Sequence, residues 1–472
     1  MLVKIALPKG RLLGETAALL ERAGWGLTGY QAKAQLYRLQ SETIPSLSGK
    51  MFHERDIPIQ VSIGNYDLGI CGLDWVEELL AKYPSSALSK VRDLGYGLGA
   101  LHVVGSRSAE LAPSLEEMPS GTGIIRIVSE YPNLAELWAL NMRLKRFGVL
   151  PLWGGAEVYP PETAELALVT GRRGQRLFDY GLVSLDEVSD YGAFLIANKE
   201  SWETDDLGEL VASLESVLAS GDFPPAPAEV AREPETARLC PSRGISDNIV
   251  RLALPDGHQQ LPTVALLSKA GIQVDDYPSP TGNRCPVAGL EGVSVKVVRP
   301  QDMPLQVANG NFDLAITGRD WVREHVYQFP SSPVAELLDL RFGKVKLVAV
   351  VSQEVAVSDV YGLRKLSEEK PLRVASEYVN IADKYARDSH LGMYRIIPTW
   401  GATEAFLPED ADLLIENTQT GRTIARHNLR IIDTLGESSA CLIGHARPRF
   451  STAKRLRIET IVSNLRMAVE SA

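Results

Sequence analysis

The chain has 472 residues, of which 45% are hydrophobic and 23% are charged. That length predicts several compact units that can each bury a core, and it excludes a disordered chain or a single small module. Lysine and arginine total 49 against 59 aspartate and glutamate residues, a formal net charge of −10. We therefore expect no nucleic-acid partner and no membrane partner, because both favour a broad basic surface.

The chain begins with a short apolar run at residues 3–7 that ends at Pro8. This run predicts a buried strand rather than a signal peptide, because no charged leader and no small-residue cleavage site accompany it. No stretch approaches the roughly 18 apolar residues that a membrane span requires. The four cysteines, at positions 71, 240, 285 and 441, are widely spaced and predict free thiols in a cytoplasmic protein.

Short apolar runs then alternate with helical periodicity, which is typical of βαβ units. In chain order the pattern predicts strand 3–7, helix 13–23, strand 66–71, helix 74–81, strands 100–104, 124–128 and 194–197, and helix 207–218. The chain should enter a second lobe at the 100–104 strand and return at the 194–197 strand. Two lobes joined by two crossings leave a cleft, and ligands prefer such clefts.

Most of this pattern occurs twice. The segment Val-Lys-Ile-Ala-Leu-Pro-Lys-Gly at 3–10 returns as Val-Arg-Leu-Ala-Leu-Pro-Asp-Gly at 250–257, and residues 65–75 correspond to 311–321. Positions 246 or 247 residues apart are called equivalent below. The period is far too long for a solenoid, so it indicates tandem duplication of a two-lobed domain pair.

We predict an α/β fold with two tandem copies of this two-lobed unit. Repeat 1 covers residues 1–225, with lobe I at about 1–97 and 192–225 and lobe II at about 98–191. A linker rich in proline, alanine and charge follows at 226–245. Repeat 2 covers 246–472, with lobe I at about 246–343 and 439–472, lobe II at about 344–438, and a closing helix at 452–469.

Residues 411–424 of repeat 2 combine an apolar strand, Glu416, a loop rich in hydroxyl groups and glycine, and a helical run expected at 424–429. A loop that opens a helix presents backbone N–H groups and the positive end of the dipole to an anion. Gly421 lets the backbone approach the anion. Such a loop is also typical of ordinary helix capping. Its position after a buried strand, with Glu404 twelve residues upstream, favours a phosphate cradle.

Five motifs, ordered by their position within one repeat, are specific in combination: Ala-Leu-Pro-Lys-Gly-Arg (6–11), Arg-Pro-Gln-Asp-Met-Pro (299–304), Asp-Leu-Gly-Ile-Cys-Gly-Leu-Asp (67–74), Glu-Tyr-Pro-Asn-Leu (130–134) and Thr-Gln-Thr-Gly-Arg-Thr (418–423). This set resembles the ATP phosphoribosyltransferase family, over nearly all of both repeats. The resemblance implies two α/β lobes per repeat, similar to a type II periplasmic binding protein.

The resemblance also implies an activity. Enzymes of this family join N1 of ATP to C1′ of phosphoribosyl pyrophosphate and release pyrophosphate, the first step of histidine biosynthesis. It implies Mg²⁺ carried with the substrate phosphates, and no metal site of the protein itself. The chain resembles the short form of the family, which implies a histidyl-tRNA-synthetase-like regulatory partner, and homo-oligomers are also possible.

Candidate site residues follow by resemblance. ATP would contact Lys9, Gly10, Arg11 and Arg284, and the catalytic side chains would be Lys9, Arg11 and Arg299. Phosphoribosyl pyrophosphate would bind Glu404 and the loop formed by Glu416, Asn417, Thr418, Gln419, Thr420, Gly421, Arg422 and Thr423. The family usually has aspartate where Glu416 stands, so the carboxylate is kept on a longer side chain.

The two repeats have diverged in complementary ways. Repeat 2 has Asp256 where repeat 1 has Lys9, and repeat 1 has Val169 where repeat 2 has Glu416. Neither repeat retains the full set, which suggests a composite site with the loop from repeat 2 and both Lys9 and Arg11 from repeat 1. The alternative hypothesis is a non-catalytic paralogue that binds nucleotides or metabolites and regulates another protein.

Overall fold

The structure is a computed structural model that describes residues 2–31, 37–107, 123–172, 180–204, 206–220, 223, 248–401, 403–448 and 450–471. In repeat 1 the strands are β1 (Val3–Lys9), β2 (Arg38–Gln40), β3 (Leu47–His53), β4 (Leu68–Gly72), β5 (Leu88–Asp93), β6 (Gly99–Ser106), β7 (Ile125–Ser129), β8 (Phe147–Pro151), β9 (Leu166–Arg172), β10 (Leu182–Tyr191) and β11 (Ala193–Asn198). The helices are α1 (Leu13–Arg22), α2 (Ile57–Ser62), α3 (Leu73–Lys82), α4 (Pro132–Asn141), α5 (Lys199–Thr204) and α6 (Gly208–Ser220).

Repeat 2 follows the same order. Its strands are β12 (Val250–Pro255), β13 (Val274–Asp275), β14 (Val287–Ala288), β15 (Val293–Val298), β16 (Leu314–Gly318), β17 (Val334–Asp339), β18 (Val345–Ser352), β19 (Leu372–Ser376), β20 (Tyr394–Pro398), β21 (Leu413–Thr418), β22 (Leu429–Ser438) and β23 (Ala440–His445). Its helices are α7 (Gln260–Lys269), α8 (Met303–Ala308), α9 (Arg319–Gln328), α10 (Val360–Glu369), α11 (Val379–Asp388), α12 (Arg422–Arg426) and α13 (Thr452–Glu470).

Each repeat forms two mixed sheets, which confirms the α/β class and the duplication. Lobe I of repeat 1 has the strand order β2-β3-β1-β4-β11-β5 and lobe II the order β10-β6-β9-β7-β8. The corresponding sheets of repeat 2 are β15-β12-β16-β23-β17 and β20-β19-β21-β18-β22. In repeat 1 the chain enters lobe II through β6 and returns through β11, as the apolar runs predict.

Burial explains why these segments form strands and helices. Strand β4 is buried along its whole length, which is expected of a central strand covered on both faces. Helix α1 buries Leu19 and Leu20 against the lobe I sheet and exposes Glu21, the amphipathic pattern of a surface helix. Each of the four lobes contains its own hydrophobic cluster.

One predicted element is wrong in its bounds. The helical run expected at 424–429 is helix α12, which ends at Arg426, and strand β22 begins at Leu429. Asn428 lies between them with a φ of 56°, in the left-handed region that ends a helix. Strand β22 then pairs with β18 from Leu429 onward, so sheet pairing overrides the local helical pattern. The predicted linker at 226–245 lies outside the described residues.

The prediction of four free thiols is wrong. Cys285 is disulfide-bonded, whereas Cys71 and Cys441 are free and buried. Because one cysteine is disulfide-bonded, the cysteines do not support the prediction of a reducing compartment. In the part of the chain that the structure describes, no helix combines the length and the apolar character that a membrane crossing requires.

The chain divides into two compact units that follow the repeats except for two short segments. Unit 1 comprises Met1–Pro151, Glu165–Arg238 and Thr399–Phe406, and unit 2 comprises Leu152–Ala164, Leu239–Pro398 and Leu407–Ala472. Unit 1 thus contains segment 399–406 from repeat 2, and unit 2 contains segment 152–164 from repeat 1. Neither repeat folds entirely by itself, contrary to the simplest expectation from the duplication.

A buried ion pair anchors segment 152–164 within unit 2. Lys296 of β15 is 7% exposed, and its Nζ donates to Glu162 Oε2 at 2.7 Å and to the carbonyl oxygen of Val158. Burial lowers the pKa of Lys296 from its ordinary value, and the Glu162 carboxylate opposes that shift. A buried ammonium group without its partner would be costly, so the segment is held at a defined position.

We predict that Glu162→Ala lowers the stability of the protein by about 3 kcal/mol, because it leaves a buried lysine unpaired. The measurement is the midpoint of the first urea-induced unfolding transition, followed by far-ultraviolet circular dichroism. The matched control is Asp388→Ala, which removes the exposed partner of Lys384 in an i,i+4 pair. That change should leave the unfolding midpoint close to that of the wild type, because solvent screens an exposed pair. Equal losses in the two variants would contradict the anchoring role of Glu162.

Candidate active site

Unit 1 brings together two candidate residues that are far apart in the sequence. Strand β1 ends at the exposed Lys9, whose Nζ donates to the hydroxyl of Tyr37 at 3.0 Å and lies 4.6 Å from the centre of its ring. The Tyr37 hydroxyl donates in turn to Glu404 Oε1 at 3.3 Å. Lys9 belongs to repeat 1 and Glu404 to repeat 2, so segment 399–406 places a carboxylate of one repeat beside the lysine of the other.

Aromatic contacts hold segment 399–406 in unit 1. The guanidinium group of Arg55 lies 4.1 Å from the ring centre of Trp400 and 5.2 Å from that of Trp75. Phe406 packs edge-on against Phe52 with 5.2 Å between ring centres. Cation–π contacts of this kind contribute most when water is excluded. Sequence reasoning assigned no role to Tyr37 or Arg55, and neither lies in a motif that would have singled it out.

The equivalent cluster of repeat 2 lies in unit 2 and carries different charges. Asp256 replaces Lys9, and its Oδ2 pairs with Arg299 Nη1 at 3.0 Å and with Arg284 Nη1 at 3.2 Å. Arg284 Nε also pairs with Glu157 Oε1 at 3.4 Å. Two arginines and two carboxylates therefore form a network with no net charge. The sequence expectation placed Arg284 at ATP and made Arg299 a catalytic residue, and here both contact Asp256.

Strand pairing shows which residues correspond in the two clusters. The amide of Met51 donates to the carbonyl of Tyr37 at 2.8 Å, and the amide of Val297 donates to the carbonyl of Arg284 at the same distance. Arg284 thus occupies the position of Tyr37. The contact from Tyr37 to Glu404 in unit 1 corresponds to the pair between Arg284 and Glu157 in unit 2.

Lys9, Tyr37 and Glu404 form what we call the Lys9 cluster. Arg11 takes no part in these hydrogen bonds and instead contacts buried carboxylates. Its Nη2 donates to both oxygens of Asp74 at 2.7 Å, and its Nε donates to Glu54 at 2.8 Å. Asp74 also accepts the hydroxyl of Tyr131 at 2.7 Å, which joins lobe I to lobe II of repeat 1. Burial disfavours the charged guanidinium, but Asp74 and Glu54 outweigh it and raise the pKa of Arg11 above its ordinary value.

The hydroxyl-rich loop lies at the end of strand β21 in unit 2. Gly421 adopts a left-handed conformation with φ 71°, and its amide donates to Thr418 Oγ1 at 2.9 Å. The amide of Asn417 donates to Glu416 Oε1 at 2.8 Å. Glu416, Asn417 and Thr418 are half-buried, whereas the exposed residues are Gln419, Thr420, Arg422 and Thr423. The carboxylate is thus held by the backbone while the hydroxyls of the tip face solvent.

The loop is hydrogen-bonded to the pair of residues that joins lobe I to lobe II of repeat 2, Asp320 and Tyr378, which we call the hinge. Asn417 Nδ2 donates to the hydroxyl of Tyr378 at 2.9 Å, and that hydroxyl donates to Asp320 Oδ2 at 2.6 Å. Burial raises the pKa of Tyr378 well above its ordinary value, and the carboxylates of Asp320 and Glu416 act in the same direction. The tyrosine therefore stays neutral and can donate and accept at once. Asp320 and Tyr378 are equivalent to Asp74 and Tyr131.

These features define a tandem two-lobed α/β protein in which unit 1 contains an exposed lysine linked through Tyr37 to a carboxylate, and unit 2 contains a hydroxyl-rich loop. The family model for ATP phosphoribosyltransferase matches residues 53–218 and 299–467, which is more than half of the chain. The chain belongs to the ATP phosphoribosyltransferase family. The two matched segments fall in the two repeats, in agreement with the duplication.

Individual relatives match about one repeat each. An ATP phosphoribosyltransferase from Chlorobaculum parvum is 29% identical over 226 residues, covering 48% of this chain and 74% of its own length. One from Geotalea uraniireducens is 31% identical over 228 residues, covering 47% and 73%. Among solved structures, a chain of the ATP phosphoribosyl transferase (HisG:HisZ) complex from Thermotoga maritima is 21% identical with a TM-score of 0.38, covering 48% of this chain and 100% of that one. The periplasmic aliphatic sulphonate binding protein SsuA from Escherichia coli is 15% identical with a TM-score of 0.30, covering 47% and 72%.

We predict that Lys9 and Arg11 have different effects on stability although they are near neighbours in one motif. Arg11→Met should lower stability by about 3 kcal/mol, because it leaves Asp74 and Glu54 buried without their countercharge. Lys9→Met is the matched control and should change stability by less than about 0.5 kcal/mol, because Lys9 is exposed. Urea unfolding of both variants measures the difference. A fully stable Arg11→Met protein would refute the structural role of Arg11.

Proposed function

We propose that the protein is a catalytically competent ATP phosphoribosyltransferase that joins N1 of ATP to C1′ of phosphoribosyl pyrophosphate and releases pyrophosphate. The observation that carries the proposal is the position of Glu404 beside Lys9 in unit 1. These two residues come from different repeats, and each is on the list expected from the family resemblance. Membership of the family supports the reaction class. The role of each residue is our proposal.

The charges of the two clusters support activity at the Lys9 cluster. The Lys9 ammonium is exposed and its hydrogen-bond acceptor is a neutral tyrosine hydroxyl, so it can still attract a polyphosphate. In unit 2 the carboxylates of Asp256 and Glu157 together neutralise Arg284 and Arg299, and they would repel the same anion. We therefore assign Lys9 and Gly10 to ATP binding and give Arg284 and Arg299 a structural role.

The loop of repeat 2 supplies the groups that a phosphoribosyl donor needs. Glu416 would accept hydrogen bonds from the ribose hydroxyls, and the hydroxyls of Thr418, Thr420 and Thr423 would bind the 5-phosphate. As the bond from C1′ to pyrophosphate breaks and the bond to N1 of ATP forms, positive charge develops on the ribose. Within unit 1, Glu404 would stabilise positive charge of this kind, and Lys9 would stabilise negative charge on pyrophosphate.

Magnesium would enter this site with the substrates. Mg²⁺ commonly binds through substrate phosphates and keeps several water ligands. Within the described ranges, no cluster of three histidine, cysteine, aspartate or glutamate side chains could hold a metal ion. We propose that the metal ion is carried by the substrate phosphates, and Lys9 would share in neutralising the same oxygens.

The proposal extends to location and partners. A biosynthetic reaction that consumes ATP and phosphoribosyl pyrophosphate belongs in the cytoplasm, which we propose as the site of action. A histidyl-tRNA-synthetase-like regulatory subunit, or further copies of this chain, are the candidate partners. The related Thermotoga maritima chain was solved in a HisG:HisZ complex, which makes a regulatory subunit the first partner to test.

We predict that Glu404→Gln lowers the rate of pyrophosphate release at least 100-fold, because it removes the carboxylate beside Lys9. The assay contains purified protein, ATP, phosphoribosyl pyrophosphate and Mg²⁺, with and without a candidate regulatory subunit. Glu157→Gln is the matched control, since Glu157 is the equivalent carboxylate of repeat 1 and pairs with Arg284. That variant should keep its rate within about threefold. Equal losses would show that the two clusters do not differ in function.

We also predict that Glu416→Ala abolishes pyrophosphate release, whereas Glu416→Asp retains at least a tenth of the wild-type rate. The alanine variant lacks the acceptor for the ribose hydroxyls, and the aspartate variant keeps it on a shorter side chain. Unchanged turnover in Glu416→Ala would show that the loop takes no part in the reaction. The melting temperature of each variant serves as the control for folding.

A second candidate function is a non-catalytic regulator that binds nucleotides or metabolites. The neutral network around Asp256 favours it, because one of the two clusters has lost its free positive charge. This alternative predicts that calorimetry detects ATP binding to the wild type while no pyrophosphate is released, even with the regulatory subunit present. Release by the wild type would exclude it.

A further inference from the structure

Lobe I of repeat 2 contains a pocket that is separate from the candidate active site. Its volume is about 530 Å³, and it lies entirely within unit 2, between the start of β12, the end of β23 and the N-terminus of α13. Among the residues that the structure describes, three positively charged side chains line the pocket, Arg251, Arg447 and Lys454, and the carboxylate that lines it is Asp313. The pocket therefore has an excess of positive charge, although the chain as a whole carries a net charge of −10.

Asp313 holds the floor of this pocket in place. Lys454 Nζ lies 2.9 Å from Asp313 Oδ1, and Arg251 Nη2 lies 3.6 Å from the same oxygen. The amide of Arg251 donates to Asp313 Oδ2 at 2.8 Å. One carboxylate thus fixes two cations at the bottom of the pocket and neutralises one of them. An anionic ligand would bind side chains that are already held in position, which lowers the entropic cost of binding.

The rim adds a third cation. Arg447 is exposed, and no carboxylate of the described residues pairs with its guanidinium group. Helix α13 begins beside it at Thr452, capped by Ser451, whose Oγ accepts the amide of Lys454 at 3.3 Å. The positive end of this 19-residue helix adds to the field of the three cations. Arginine suits an oxyanion because its guanidinium group offers two parallel N–H donors.

The same region of repeat 1 is built differently. There Asp67 accepts the hydroxyl of Ser201 at 2.7 Å, so a neutral side chain from the short helix α5 takes the place of Lys454. Arg447 lies two residues beyond the end of β23. The equivalent residue of repeat 1, two residues beyond the end of β11, is Glu200. An aspartate at this position is common to both repeats, whereas the surplus of positive charge belongs to repeat 2.

We propose that this pocket is an oxyanion site that binds a phosphate group of a small molecule. The three cations would contact the phosphate oxygens, and the rings of Phe312 and Phe450 in the wall would contact an apolar part of the ligand. A volume of about 530 Å³ leaves space for more than a phosphate group. This site shares no residue with the Lys9 cluster or the Glu416 loop, and it does not depend on the proposed function.

The test is isothermal titration of the full-length protein at low ionic strength with inorganic phosphate and with phenyl phosphate. The variant is Arg447→Glu, which installs the residue type of repeat 1 at an exposed position. The matched control is Arg395→Glu, which makes the same charge change at an exposed position of β20, away from the pocket. Thermal unfolding checks that both variants fold.

We expect Arg447→Glu to lose one binding site for phosphate, or to weaken it at least tenfold, and Arg395→Glu to bind like the wild type. Phenyl phosphate should bind the wild type more tightly than inorganic phosphate, because the two phenylalanine rings add apolar contact. The proposal is overturned if Arg447→Glu binds phosphate like the wild type, which would place all binding elsewhere, including the Glu416 loop. It is equally overturned if Arg395→Glu loses as much, since the effect would then be general electrostatics.

Discussion

Each compact unit depends on a short segment from the other repeat. Segment 152–164 is held in unit 2 by the buried pair of Lys296 and Glu162, and segment 399–406 is held in unit 1 by the stacking of Arg55 on Trp400. A buried lysine needs its carboxylate, so the position of segment 152–164 is strongly constrained. This exchange brings Glu404 next to Lys9, and the proposed chemistry depends on that placement.

The exchange also explains how duplicated repeats could diverge without loss of the site. After duplication each cluster needs only the residues that its own unit supplies. The Lys9 cluster keeps an exposed cation beside a carboxylate, whereas Asp256 converts the equivalent cluster into a neutral ion network. A network of that kind can stabilise a fold while it gives up the attraction for polyphosphates. We infer that one cluster retained the chemistry and the other became structural.

The hinge between lobes has stayed the same while the clusters changed. In repeat 1 the hydroxyl of Tyr131 donates to Asp74, and in repeat 2 that of Tyr378 donates to Asp320, at 2.7 and 2.6 Å. Both tyrosines are buried, and in both cases burial and the carboxylate raise the pKa of the hydroxyl. In repeat 2 the same tyrosine accepts from Asn417, so the hinge also positions the proposed phosphoribosyl loop.

The sequence by itself determined the duplication, the α/β class, the crossings between lobes and the loop around Gly421, because these depend on periodicity and short motifs. It could not place Tyr37 between Lys9 and Glu404, since residues 37 and 404 meet only through segment exchange. It also paired Arg11 with Lys9, whereas packing directs Arg11 to Asp74 and Glu54. Local pattern decides which strands and helices form, and only tertiary packing decides which charges meet, because side chains distant in the chain compete for each buried carboxylate.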